Sequence, residues 1–177
     1  IDGIYRRSSY WDGISSLAEI MTMSRIISIE EIEAFVFDFD GVLTDNRVYL
    51  DQYGKESVSC SRADGLAFDV LRKLKKSAYI LSTEKSPVVT ARAKKLKISA
   101  IQGVSNKVVA IKELAELKNY NLKSILYVGN DLNDYLVMQV CGYSACPSDS
   151  HPRIKEISGN ILQTKGGSGV VRELLEK

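Results

Sequence analysis

Histidine and tryptophan occur once each in this 177-residue chain, and proline and cysteine only three times each. The single histidine, His151, leaves no material for a His-rich zinc site or a Ser-His-Asp triad. Set before Pro152, it reads as a surface turn residue. Cys60, Cys141 and Cys146 are an odd number of thiols in a chain long enough to build its own core, and the latter two lack zinc-ligand spacing. They read as free thiols in a reducing compartment, so a cytoplasmic location is expected. No apolar run reaches membrane-spanning length, and 24 basic and 22 acidic residues are interleaved to a net charge of +2. Neither a membrane nor nucleic acid is expected as a partner. The basic groups around 72–76 and 94–97 read first as solvated helix ends.

What is present is one good core's worth of apolar residues, 45% of the chain, enough for a single domain. From residue 32 onward, short apolar runs at 34–37, 78–81, 98–101, 124–128, 143–145 and 160–162 alternate with helical patterns at 65–74, 87–96, 107–117, 133–140 and 169–175. That rhythm predicts an α/β fold, a doubly wound, Rossmann-like parallel sheet. The stretch 48–59 departs from it. Val48 and Leu50 alternate with polar residues, Gln52 to Lys55 supply a turn, and Val58 sits on the return, so a β-hairpin flap is expected beside the active edge. Only this hairpin and one helix separate Asp40 from Ser82, which leaves no room for a cap domain. The chain opens on Ile1; residues 1–30 are expected to be an N-terminal extension or the remnant of an upstream segment, and 31–177 the folded domain. Tyr5, Tyr10 and Trp11 in that extension have no functional account.

The chemistry concentrates in DFDGVLTD at 38–45. Asp38 and Asp40 leave the C-terminal end of a buried strand, the edge at which open α/β sheets bind ligands. Positions i and i+2 of an extended chain point the same way. One carboxylate can therefore attack while the other moves a proton. Ser82 and Thr83 end a second strand and could hold phosphate oxygens. Lys107 opens a helix and could neutralise a transferring phosphoryl group. GNDLND at 129–134 ends a third strand with the hard oxygen donors that Mg2+ takes. Singly, these also read as an acidic turn, a loop, a solvated lysine and a helix N-cap; in order, each at a strand end or helix start, they form one constellation.

That order resembles the haloacid dehalogenase superfamily of phosphatases, over about residues 32–177. The hairpin, Ser61 to Gly65, Ile101 to Val104 and the tail from Lys165 to Glu173 are similar to the capless branch. That branch contains the 3-deoxy-D-manno-octulosonate 8-phosphate (KDO 8-phosphate) and KDN or sialic acid 9-phosphate phosphatases, and also occurs as the C-terminal domain of some CMP-sialic acid synthetases. The resemblance implies Asp38 as nucleophile and Asp40 as acid and then base. It implies Ser82, Thr83, Lys107, Glu84, Lys95, Arg92 and Asp64 for phosphate and substrate, and a magnesium ion on Asp38, the Asp40 carbonyl and Asn130 or Asp131. It further implies a homotetramer in which a neighbour's flap or tail, here the Gly-rich 166–169, closes the site. Two positions depart from the pattern. Asn130 stands where the phosphatases usually carry a metal-binding Asp. Glu84 stands where the octulosonate enzymes usually carry Arg, and with Lys95 it looks like the nonulosonate pairing. A charge reversal there leans the expectation towards a nine-carbon sugar acid phosphate. The alternative is a non-catalytic tetramerisation domain of a CMP-sialic acid synthetase.

Overall fold

Apolar residues at successive strand positions point to opposite faces of a sheet, so a strand that is apolar throughout needs helices on both sides. The computed structural model describes residues 28–176, and residues 1–27 of the expected extension, with Tyr5, Tyr10 and Trp11, lie outside the described residues. Six parallel strands form one sheet: β1 (Ala34–Phe37), β4 (Ser77–Leu81), β5 (Ser99–Ile101), β6 (Ile125–Val128), β7 (Tyr143–Cys146) and β8 (Asn160–Ile161), in the order β5-β4-β1-β6-β7-β8. Phe35 and Phe37 of β1 pack on one face with Phe68, Leu71, Val89, Leu96, Val171 and Leu174. Ala34 and Val36 pack on the other with Ile111, Leu114, Val137 and Ile154. Helices α1 (Arg62–Lys73), α2 (Pro87–Leu96) and α6 (Val170–Glu176) thus cover the first face, and α3 (Lys107–Lys118), α4 (Tyr135–Val140) and α5 (Pro152–Ile157) the second. Phe37 meets Phe68 edge-on with ring centroids 5.3 Å apart. Truncating either ring would cost roughly 3–5 kcal/mol.

The doubly wound sheet follows the expectation closely. From β1 the chain builds outward to β4 and β5, then crosses back to β6, so the order reverses between β1 and β6. The crevice beyond their C-terminal ends is where such sheets bind ligands. Asp38 N–H donates to the Val128 carbonyl at 2.9 Å and ties the two strand ends together. Between β1 and α1 the described chain holds only the antiparallel hairpin β2 (Tyr49–Leu50) and β3 (Glu56–Ser57), with no cap domain. Helix α1 starts at Arg62, earlier than the apolar periodicity indicates, because Ser61 Oγ caps it by accepting from Ala63 N–H at 3.1 Å.

The glycines of the tail are taken up inside this chain, packed under the loop that follows Asp40. Gly167 N–H donates to Val42 O at 3.0 Å, and Gly166 N–H to Asp149 Oδ1 at 2.9 Å. A Cβ on either glycine would overlap the backbone between Gly41 and Asp45. Gly166 and Gly167 therefore serve close backbone approach within the chain.

Candidate active site

Asp38 lies buried at the end of β1, and Lys107 at the first position of α3 reaches it from below. Asn106 Oδ1 caps α3 by accepting from Val108 and Val109 N–H, which fixes where Lys107 starts. Its Nζ lies 2.8 Å from Asp38 Oδ1 and 2.7 Å from Asp134 Oδ1. Tyr127 donates its hydroxyl to the same Asp134 oxygen at 2.8 Å, while Asn130 and Asp131 N–H donate to Asp134 Oδ2 at 2.9 and 3.3 Å. Burial, and then the charge of Asp134, push Asp38 up to about 8, against the pull of Lys107. For Lys107, burial works against the charge, yet the two carboxylates outweigh it and hold the ammonium above its usual range. Two buried carboxylates against one ammonium leave an excess negative charge, an arrangement stable only with a further cation or a shared proton.

Asp40 is half-buried. Its Oδ1 is 3.4 Å from Thr44 Oγ1, and burial followed by the Glu84 charge pushes it up, the direction a general acid needs at neutral pH. Gly41 turns the chain at φ +77°, and a Cβ there would overlap the Asn130 amide. That close approach leaves Asn130 Oδ1 buried with no hydrogen-bond partner, whereas Asp131 Oδ1 is taken up by Leu132 N–H at 2.7 Å. An orphaned amide oxygen on a residue that shares a cavity with Asp38 and Asp40 fits a hard divalent cation such as Mg2+. Among the described residues no three His, Cys, Asp or Glu side chains group for a metal, so such an ion would rely on Asp38, Asn130, the Asp40 carbonyl and waters.

Asp38, Asp40, Thr83, Glu84, Asn130 and Asp131 line one cavity of about 310 Å³. Ser82 is buried beneath it, its Oγ accepting from Glu84 N–H at 3.1 Å. Three expected substrate residues stand apart. Lys95 is exposed in the last turn of α2, and because α2 starts at the catalytic edge and runs back along the sheet, Lys95 lies towards the opposite end. Arg92 donates to Ser61 O at 2.6 Å, and Asp64 Oδ1 accepts from Val171 N–H at 2.9 Å. Both therefore sit where α1, α2 and α6 meet, outside the residues that line the cavity. Burial pushes Asp64 up to about 6. Sequence reasoning missed Asp134 and Tyr127. The readable signals were the three-residue spacing from Asp131, realised as a capping box, and a phenol on the buried strand β6.

A family model described as haloacid dehalogenase-like hydrolase matches residues 68–174. The chain belongs to the haloacid dehalogenase-like hydrolases, within the branch that contains the KDO 8-phosphate phosphatases, and it is a phosphoric monoester hydrolase. The 3-deoxy-D-manno-octulosonate 8-phosphate phosphatase of Escherichia coli K12 is 31% identical over 152 residues, 85% of this chain and 81% of that one. A haloacid dehalogenase family hydrolase from Streptomyces avermitilis superposes with TM-score 0.85 at 38% identity, covering 88% of this chain and 89% of that one. The Moraxella catarrhalis octulosonate phosphatase, solved with magnesium, phosphate and KDO, superposes with TM-score 0.80 at 29% identity over 82% and 84% of the two chains.

Proposed function

We propose that this chain is a magnesium-dependent phosphatase of a 2-keto-3-deoxy sugar acid phosphate, acting through an aspartyl-phosphate. The observation that carries the reading is Lys107 held between buried Asp38 and Asp134, next to a cavity that Asp40 shares. Bound on Asp38, Asn130 and the Asp40 carbonyl, magnesium would screen the repulsion between substrate phosphate and the nucleophile. A carboxylate oxygen of Asp38 forms a bond to phosphorus as the P–O(alkyl) bond breaks, and Asp40 gives its proton to the departing sugar oxygen. Asp40 then takes a proton from water as that water attacks phosphorus, releasing inorganic phosphate and restoring Asp38. Lys107 offsets the charge gathering on the equatorial oxygens, with Ser82 and Thr83 at the phosphate end.

Glu84 at the cavity wall favours a nine-carbon substrate, KDN or sialic acid 9-phosphate, over the eight-carbon acid named for the relatives. A homotetramer is supported by the hairpin, whose Val48, Tyr49, Leu50 and Tyr53 are all exposed. No helix among the described residues is long and apolar enough to cross a membrane, and Cys60, Cys141 and Cys146 are free thiols, in keeping with the cytoplasm. The test is phosphate release with magnesium from KDN 9-phosphate, N-acetylneuraminate 9-phosphate and KDO 8-phosphate, repeated in chelator. Release that prefers a nine-carbon ester and stops in chelator is the expected result. No release from any ester by the folded protein would favour the non-catalytic assembly domain of a synthetase.

A further inference from the structure

The cavity at Asp38 adjoins a groove whose walls are acidic near the site and carry lysines only farther out. Beyond the phosphate pocket lies a space of about 220 Å³ lined by Asp40, Asn46, Glu56, Glu84 and Ser86 over an apolar floor that includes Val58 and Val88. Beyond that again lies a space of about 630 Å³, which shares Glu56, Glu84, Ser86 and Val88 with the middle one and adds Lys55, Lys85, Pro87 and Ala91. The shared residues make the three spaces neighbours along one stretch of surface. Both walls carry the same order: Glu56 then Lys55 on the hairpin, Glu84 then Lys85 on the loop after β4. The acids line both spaces and the lysines only the outer one. Both glutamates raise Asp40, so their charges reach the catalytic edge.

These lysines stand on pinned backbone. Asp51 Oδ1 accepts from Tyr53 and Lys55 N–H, each at 2.9 Å, which closes the hairpin turn. Gly103 N–H donates to Glu84 O at 2.9 Å, and the Lys85 stem lies over Gly103, whose φ of +69° and missing Cβ leave that space open. Neither ammonium has an ion-pair partner among the described residues. A dianionic phosphate docked at Asp38 would need an uncharged, hydroxylated stretch beside Glu56 and Glu84, because a second anion there would be repelled while hydroxyls can donate to both carboxylates. A second anionic group of the same substrate is favourable only farther out.

We propose that Lys55 and Lys85 form the distal anion subsite of this groove, holding the substrate's carboxylate while Glu56 and Glu84 receive the hydroxyls between it and the phosphate. This rests on the sugar acid phosphatase reading and assigns the end of the site that selects for an acid. The groove then measures the separation of the two anions, so a phosphorylated polyol without a carboxylate binds weakly.

Calorimetry on an Asp38→Asn background, which binds without turnover, tests it with KDO 8-phosphate and KDN 9-phosphate against their C1 carboxamides. The parent background should prefer each acid to its amide. Lys55→Met and Lys85→Met should each weaken binding of the acid about threefold to tenfold, and of the amide less than about twofold. Equal weakening of acid and amide, or unchanged preference in the double variant, would overturn the assignment. Turnover by the wild-type protein is scored separately. Preference for the acid, lost in the variants, from a protein that hydrolyses neither ester would sink the phosphatase reading and leave the subsite standing.

Discussion

The buried ion cluster and the rim of the groove lie side by side and are held by opposite means. Lys107, Asp38, Asp134 and Tyr127 have almost no solvent exposure, and their bonds run between 2.7 and 2.8 Å. Glu56, Lys55, Glu84 and Lys85 are exposed on a hairpin and a loop, and no described side chain pairs with their charged groups. In the first region removing Lys107 strands buried charge; in the second a substitution changes what the surface attracts and little else. Under the proposed function, bond-breaking machinery and substrate choice are separable: the cluster would set whether a phosphoryl group is transferred, and the rim which molecule brings it.

The comparison breaks first at Lys107. Lys107→Met leaves Asp38 and Asp134 facing one another without a counter-charge, a loss of roughly 3–5 kcal/mol that shrinks as pH falls and a carboxyl takes up a proton, together with about a thousandfold loss of turnover. Urea denaturation at neutral and acid pH reads the first effect, and a variant as stable as its parent would show that the cluster does not organise the site. A smaller effect is expected at Asp64, which is buried yet outside both regions. Its folded value of about 6 stands above the ordinary 3.8, so the folded protein retains a proton that the unfolded chain releases. The stability this provides is complete below about pH 4 and is lost as pH rises towards 6, a difference of roughly 3 kcal/mol at most. Asp64→Asn keeps the acceptor for Val171 N–H. It should be more stable than the parent at pH 7 and equal to it near pH 4; equal stability at both would mean the carboxyl is not held above its ordinary value. The smallest effect on the fold belongs to the rim. Glu84→Arg should shift the ratio of kcat/KM towards the eight-carbon ester by about tenfold while stability moves by less than about 0.5 kcal/mol. If both esters respond alike, Glu84 does not select.

The sheet was legible because strands buried on both faces read as unbroken apolar runs, and Asp38, Ser82 and Asn130 fall at their ends. The hairpin was legible from alternation and a turn, although only Tyr49–Leu50 and Glu56–Ser57 pair. Lys95 was paired with Glu84 on resemblance alone, and the sequence does not say which end of a helix a residue occupies; within this chain Lys95 stands in the last turn of α2. The Gly-rich tail was expected to close a neighbour's site; its packing within the chain, with Gly166 against Gly41, could not be read because glycine serves close packing as readily as reach. Asp134 stayed hidden behind its neighbours. A helix-capping acid and a residue that holds a buried lysine look alike until Lys107, 27 residues earlier, is brought to within 2.7 Å.

In the proposed mechanism Asp38 carries the phosphoryl group. Acid quenching during turnover with magnesium, followed by mass spectrometry of the peptide containing Asp38 and Asp40, tests it directly. A phosphoryl adduct on Asp38, absent from a folded and inactive Asp38→Asn variant, is the predicted result. Continued phosphate release by that variant would contradict the account.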